Sequence, residues 1–283
     1  MSEARILLGD CLEVIPELIR SGDAFDLIYA DPPYNAGGTR GARAARGNRS
    51  EGVPAYKDDW GGLDAFLSMM KPRLGVMRDA LSDQGSLWIH LDHRAVHEVK
   101  ILLDELFGRQ RYQGEIIWVP GNGGRKRHGI PVTHQTILVY SKTETFLYDP
   151  ENEVLREPFA ETSQRMHFKN VDADGRRYRE RQLGGKIYRY FADRGRRLGS
   201  VWSDCPSMKA NTPLQNEATG YPTQKPEALL ERIVLGASLP TSHVLDPMGG
   251  SGTTAAVARR HGRRATSIDS SRVAYEVMKT RLG

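Results

Sequence analysis

Cysteine is almost missing from this chain: Cys11 and Cys205 are the only two in 283 residues. They stand far apart with no CxxC spacing, which excludes a disulfide framework and a cysteine zinc site. Long apolar runs are missing too, and none approaches the roughly 20 residues that a membrane-spanning helix needs. The start, Met1-Ser2-Glu3-Ala4-Arg5, enters a strand-like Ile6-Leu7-Leu8 without the three regions of a secretory leader. There is no internal repeat and no long linker. These absences predict a cytoplasmic protein with no membrane partner. Charge of one sign is scarce only locally. Forty basic against thirty-five acidic residues give a net charge of +5, too small an excess to identify a polyanion partner without clustering.

What is present is alternation. Short apolar runs interleave with helical periodicities, the pattern of parallel strands covered by helices on both faces. Strands are predicted at 6–8, 25–30, 86–91, 115–119, 136–140, 244–246 and 265–268, and helices near 12–21, 63–81, 94–106, 226–237, 252–261 and 271–281. Over 63–81, Leu63, Phe66, Met70, Leu74 and Met77 recur every three or four residues and mark a core face. The fold class is α/β, a doubly wound mixed sheet. Two stretches break the pattern. Residues 36–52 carry five glycines and four arginines (Arg40, Arg43, Arg46, Arg49) with no acid before Glu51, and predict a mobile loop. Residues 148–200 are polar and rich in Arg, Gly and Tyr, a poor α/β layer and so an insert.

Near the end, Val244-Leu245-Asp246 closes a strand and runs through Pro247-Met248-Gly249-Gly250-Ser251-Gly252 into a helix starting near Thr253. Such a turn lets backbone approach a ligand closely and aims helix N–H groups at its negative end. A phosphate loop would need a lysine before its hydroxyl residue, and Gly252-Thr253-Thr254 has none. Asp269 follows the next strand at the spacing where an acid reaches ribose hydroxyls, favouring an adenosine-bearing ligand. Asp269 and Asp10 also stand where a helix N-cap would, and the two roles are compatible. In Tyr221-Pro222-Thr223-Gln224-Lys225-Pro226 the last proline suits the first turn of a helix.

Near the start, Asp31-Pro32-Pro33-Tyr34-Asn35 ends a strand. Alone it reads as a rigid turn. Together with the glycine loop, Gly9-Asp10-Cys11, Ser267-Ile268-Asp269 and the stretches 85–92, 134–142 and 221–226, it resembles the beta class of DNA amino-methyltransferases, over nearly the whole chain. In that class the catalytic tetrapeptide comes first, a target-recognition region follows, and the glycine loop closes the order.

The resemblance implies a Rossmann-like fold, circularly permuted, with catalytic half 1–147, recognition insert 148–200 and cofactor half 201–283. It implies S-adenosylmethionine as cofactor. Asp246, Met248, Gly250 and Gly252 would line its methionine portion, with Pro247, Ser251 and Thr253 in the same loop. Asp269 would meet the ribose, Asp10 and Cys11 the adenine, and Lys225 the carboxylate. The implied substrate is an exocyclic amine in duplex DNA, with a flipped base. Asp31 and the Pro32 carbonyl would accept both amine hydrogens, Pro32 and Pro33 would stiffen the loop, and Tyr34 would offer a stacking face. Direct transfer needs no thiolate and no metal. Neither cysteine follows a proline, as cytosine C5 attack would require, and His90, His93 and His97 read as surface or strand-end histidines. Aspartate at the first tetrapeptide position accompanies N6-adenine in the enzymes resembled. N4-cytosine, structured RNA and a silent DNA-binding protein are the alternatives. A homodimer and a restriction endonuclease in a separate chain are candidate partners, in a bacterial or phage cytosol at the nucleoid.

Positive charge does cluster. Arg176, Arg177, Arg179, Arg181, Lys186, Arg189, Arg194, Arg196 and Arg197 face only Glu180 and Asp193 between them, interleaved with Tyr178, Tyr188, Tyr190 and Phe191. A solvated surface has no need of so lopsided a sign, and the density suits DNA phosphates and guanine edges. Arg125, Lys126, Arg127 and His128 are predicted to clasp the backbone, and the arginine loop with Arg40 and Arg43 to close over the flipped base or the opposite strand, with a disordered surface loop as the alternative.

Overall fold

The computed structural model describes residues 3–42, 53–121, 123–124, 128–208 and 216–283. They fall into two compact units, Met1–Tyr148 with Ser200–Gly283, and Asp149–Gly199.

Among the described residues the first unit is built on an eight-stranded sheet. Its strands are β1 (Ala4–Leu8), β2 (Phe25–Ala30), β5 (Leu81–Leu91), β6 (Tyr112–Trp118), β7 (Gln135–Ser141), β13 (Val201–Trp202), β14 (His243–Asp246) and β15 (Arg264–Asp269), in the spatial order β1-β15-β14-β2-β5-β7-β6-β13. Only β7 runs against its neighbours. The two strands latest in sequence thus lie between the two earliest, the arrangement of a permuted doubly wound sheet.

Helices α1 (Cys11–Arg20), α2 (Leu63–Ala80) and α3 (Val96–Phe107) share one core with Ile28, Ala30, Leu87, Ile89, Leu91, Leu245 and Ile268. The apolar stripe of α2 lies in it: Phe66, Met70, Leu74 and Met77 are fully buried. Strand side chains alternate, so Leu27, Trp88 and Val244 point to the opposite face. Helices α5 (Glu227–Ala237) and α6 (Thr253–Arg260) pack together, and α6 packs on β14 and β15. α7 (Arg272–Leu282) packs against β1 and β15.

Two expectations are corrected. The segment read as a loop over 36–52 is ordered where described: β3 (Thr39–Ala42) pairs antiparallel with β4 (Val53–Lys57). Neither strand has an apolar run, and Pro54 disguises the second. The predicted helix over 63–81 ends at Ala80, and Leu81 opens β5 five residues before the expected start.

β2 and β5 shift register between Phe25 and Leu27, and Gly85 sits against that irregularity. A Cβ there would lie 2.6 Å from the Phe25 carbonyl oxygen and 3.0 Å from that of Ser82. Both are backbone atoms in the sheet and cannot rotate away. Gly85→Ala is therefore expected to destabilise the protein by roughly 1–3 kcal/mol. Thermal unfolding measures it, and an unchanged midpoint would refute this account of the bulge.

The second unit holds β9 (Asn170–Val171), β10 (Arg177–Leu183) and β11 (Lys186–Phe191) in an antiparallel sheet. Strands β8 (Arg156–Glu157) and β12 (Arg196–Arg197) pair beside the short helix α4 (Glu161–His167). Its small core is Leu155 and Phe168, with the Phe159 ring tilted against Phe168 at 4.7 Å between centroids. No described helix is long and apolar enough to cross a membrane.

Candidate active site

Strand register sets four aspartates in a row. Leu8 lies level with Asp269, Asp246 with Ser267, and Leu245 with Ile28, across parallel neighbours. Asp10, Asp269, Asp246 and Asp31 therefore follow one another along the carboxyl edge of β1, β15, β14 and β2. Neighbouring strands lie about 4.8 Å apart, so the row extends over roughly 15 Å. That edge is where open α/β sheets bind ligands.

Asp10 caps α1: its Oδ1 accepts the Leu12 N–H at 2.9 Å, and its Oδ2 accepts from Arg73. Cys11, the first helical residue, is buried, and burial followed by the Asp10 charge pushes its thiol up to about 12. Asp269 does not cap the next helix. Ser271 does, and Asp269 accepts the N–H of Ser271 at 2.8 Å through Oδ1 and that of Gly250 at 2.8 Å through Oδ2. Its carboxylate thus ties the glycine loop to α7.

The loop needs its glycines. Gly250 and Gly252 have φ of 50° and 73°, in the left-handed region. A Cβ would lie 3.1 Å from the Tyr221 ring at Gly250 and 2.9 Å from Met278 Cγ at Gly252. Ser251 and Thr253 are buried, their hydroxyls 2.9 Å apart, and Arg281 donates to the Ser251 carbonyl at 3.2 Å and the Thr253 hydroxyl at 2.9 Å. Those side chains brace the loop from inside. The Met248 N–H, which follows Pro247, donates to Asp246 at 3.2 Å. Burial pushes the Asp246 carboxyl up to about 7; the Thr254 hydroxyl and the Met248 N–H oppose this, while the charges of Asp31 and Asp269 add to it.

Asp31 is held at both oxygens. The Tyr34 hydroxyl donates to Oδ1 at 2.5 Å, and Lys225 Nζ donates to Oδ2. Burial first, and then the Asp31 charge, raise the Tyr34 phenol well above its ordinary range, so it stays a donor. Lys225 is buried, with its Nζ 5.2 Å from the Tyr34 ring centroid. Lys225, the residue expected beside a cofactor carboxylate, here donates to the Asp31 carboxylate, 194 residues away in sequence. Pro226 is the cap of α5 and lies outside its first turn. Asn35, at φ 55°, closes the loop that begins at Asp31 by accepting the Trp60 N–H at 2.9 Å.

His90 stands at the end of β5, as one of the two expectations had it, but it is not at the surface. It is fully buried, with Nδ1 2.8 Å from the Tyr29 hydroxyl, and its ring stands 5.3 Å from Trp118 and 6.3 Å from Tyr34. Burial, reinforced by the Lys225 charge, holds it well below the usual imidazole range and therefore neutral. Its Nε2 and the adjacent Gln135 Oε1 have no hydrogen-bond partner among the described residues. The missed signal was position: β5 lies between β2 and β7, a central strand, and its residues 85–91 are buried on both faces. His93 and His97 are exposed.

Arg40, expected in a loop over the base, sits in β3 and donates to the buried Asp58 at 3.1 and 3.2 Å. Arg43, Arg125, Lys126 and Arg127 lie outside the described residues. In the second unit Arg176 pairs with Asp193 at 2.7 Å, Arg189 with Glu180 at 3.1 Å, Arg196 with Glu157 at 3.0 Å, and Arg197 with Glu151.

Comparison with known proteins shows what the chain is similar to. The family model for N6 and N4 amino-methylases, described as DNA methylase, matches residues 25–280. The type II methyltransferase M.EcaI of Enterobacter cloacae is 28% identical over 93% of this chain and 66% of its own length, so the chain spans just under two thirds of that relative. The DNA adenine methyltransferase YhdJ of Escherichia coli K12 is 28% identical over 95% of this chain and 79% of its own. The solved complex of M1.HpyAVI with SAM superposes with a TM-score of 0.59, covering 99% of each chain at 17% identity, a likeness of fold.

Proposed function

The chain belongs to the DNA methylase family, and from that premise we propose that it transfers a methyl group from S-adenosylmethionine to N6 of adenine in duplex DNA. The observation that carries the reading is the placement of Asp31, which follows β2 and opens the rigid Pro32-Pro33-Tyr34 loop, one strand away from Asp246 and the glycine loop.

The residues fit such a cofactor. Asp246 is buried among carboxylates, and the one buried lysine beside them is already bonded to Asp31. A ligand bearing cationic sulfonium and ammonium groups suits that surplus of negative charge. In this reading Asp246, Pro247, Met248, Gly250, Ser251, Gly252 and Thr253 hold the methionine portion, Ser251 and Thr253 through backbone because their hydroxyls are engaged within the protein. Asp269 meets the ribose, and Asp10 with Cys11 borders the adenine. When bound, the cofactor supplies a methyl carbon on a sulfur that keeps the bonding electron pair as it leaves.

The protein's part lies at the nitrogen. An adenine amine is a poor nucleophile because the ring withdraws its lone pair. The Asp31 carboxylate and the Pro32 carbonyl accept the two amine hydrogens, draw the nitrogen toward tetrahedral geometry and stabilise the positive charge that develops on it. Each carboxylate oxygen has two acceptor directions, so Tyr34 and Lys225 can hold Asp31 in aim while it receives the amine. The Asp31 carboxylate takes the proton that the methylated amine must lose. Tyr34 presents its ring to the base, and the unit Asp149–Gly199 recognises the target.

Incubating DNA with the protein and methyl-labelled S-adenosylmethionine, followed by mass spectrometry of the nucleosides, is expected to yield labelled N6-methyladenine. Labelled N4-methylcytosine would keep the chemistry and reverse the base. Absence of label from DNA would overturn the reading.

A further inference from the structure

Strands β10 and β11 form a two-stranded ribbon closed by the tight Gly184-Gly185 turn. Its register sets Arg179 opposite Tyr190, Glu180 opposite Arg189, Arg181 opposite Tyr188 and Leu183 opposite Lys186. Side chains alternate across a strand, so the ribbon has two chemically different faces. On one, charge cancels: Arg189 pairs with Glu180 and lies 4.1 Å over the Tyr178 ring. At that face's outer end Arg176 pairs with Asp193 and lies 4.1 Å over Phe191.

The other face contains no acid. It carries Arg177, Arg179, Arg181, Lys186, Tyr188 and Tyr190. Arg179 is anchored among aromatics, 5.1 Å from the Phe168 ring, 5.5 Å from Phe159 and 5.6 Å from Tyr190. Arg177, Arg181 and Lys186 are exposed, and among the described residues none of them has an ion-pair partner. Tyr188 is 46% exposed beside Arg181. Three unpaired cations and an exposed aromatic on one side of a ribbon, with the opposite side neutralised, form a directional surface. Mere solubility would not require that asymmetry. A two-stranded ribbon also matches the width of the DNA major groove, about 12 Å.

We propose that the acid-free face of the β10–β11 ribbon is the DNA-binding surface of the second unit, entering the major groove of duplex DNA with Arg177, Arg181 and Lys186. The paired residues Arg176 and Arg189 hold the ribbon together. This rests on the reading of the chain as an enzyme acting on DNA.

Two double variants that remove the same charge separate the faces: R181A/K186A and R176A/R189A. Duplex binding is measured across a salt series, with thermal unfolding and cofactor binding as controls of folding. R181A/K186A is expected to weaken binding about tenfold or more at moderate salt and to flatten the slope of log K against log salt by nearly 2, one step per lost phosphate contact. R176A/R189A is expected to alter the slope far less. Equal effects from both variants would reduce the surface to net charge and overturn the proposal. So would unchanged binding in R181A/K186A, or preferential capture of structured RNA or an acidic protein over duplex DNA. Label transfer by the wild type isolates the premise: if the wild type methylates DNA and the variants bind alike, only this inference falls; if it neither binds nor methylates DNA, the functional reading falls with it.

Discussion

Asp31→Ala is expected to lower single-turnover methyl transfer by about a thousandfold, the scale of losing a group aimed at charge that develops in the transition state, while cofactor binding persists. In the proposed reaction the carboxylate is the acceptor that leaves the amine its lone pair, and alanine offers no substitute. The variant has a second effect. Lys225 is buried and donates to Asp31, so D31A strands an ammonium without its partner, a loss that costs about 3–5 kcal/mol where a buried pair is broken from one side. A drop in activity alone would confuse the two. D31A/K225M removes the stranded charge and is expected to recover the thermal stability lost in D31A without recovering turnover. Activity returning with stability would show that Asp31 serves the fold, and turnover retained in D31A would remove the mechanism.

Most strands of the eight-stranded sheet were legible because they are short apolar runs, and burial on both faces leaves that signature intact; parallel β13, only Val201-Trp202, has no run to read. Asp31, Asp246 and Asp269 could be named as candidates for the same reason: they stand where an apolar run stops. What could not be read was pairing across long separations. Lys225 and Asp31 are 194 residues apart, and no local pattern says which carboxylate a lysine will meet. β3 and β4 escaped because a hairpin of Thr, Arg, Gly, Pro and Tyr owes its order to a partner strand and to packing beside α7. The basic run from Arg176 to Arg197 announced its sign, but the register of β10 on β11 decides which arginines are neutralised. His90 does stand at a strand end, as its place before Asp92 suggests, but nothing local says that β5 is a central strand whose end is buried.

Asp246→Asn should uncouple cofactor affinity from pH. In the free protein burial holds the Asp246 carboxyl at about 7, against an ordinary 3.8, so at pH 6 most molecules carry it neutral. A cationic ligand favours the ionised form. Affinity for S-adenosylmethionine is therefore expected to be flat above about pH 8 and to fall by up to tenfold per unit below 7, with release of a proton on binding. The opposite sign holds for folding. A carboxyl raised on folding favours the neutral native state, so Asp246 contributes stability below its unfolded value near 3.8 and loses it as pH rises through 7. D246N should thus melt higher than the wild type at pH 8 without ligand, and the difference should disappear in acid. It should also bind the cofactor roughly tenfold to a hundredfold more weakly at pH 8, the scale of a hydrogen bond to a charged group. Calorimetry in two buffers of different ionisation enthalpy reads the proton directly. Affinity without pH dependence and without proton exchange would mean that the buried carboxylate is braced by the loop and does not wait for a cation.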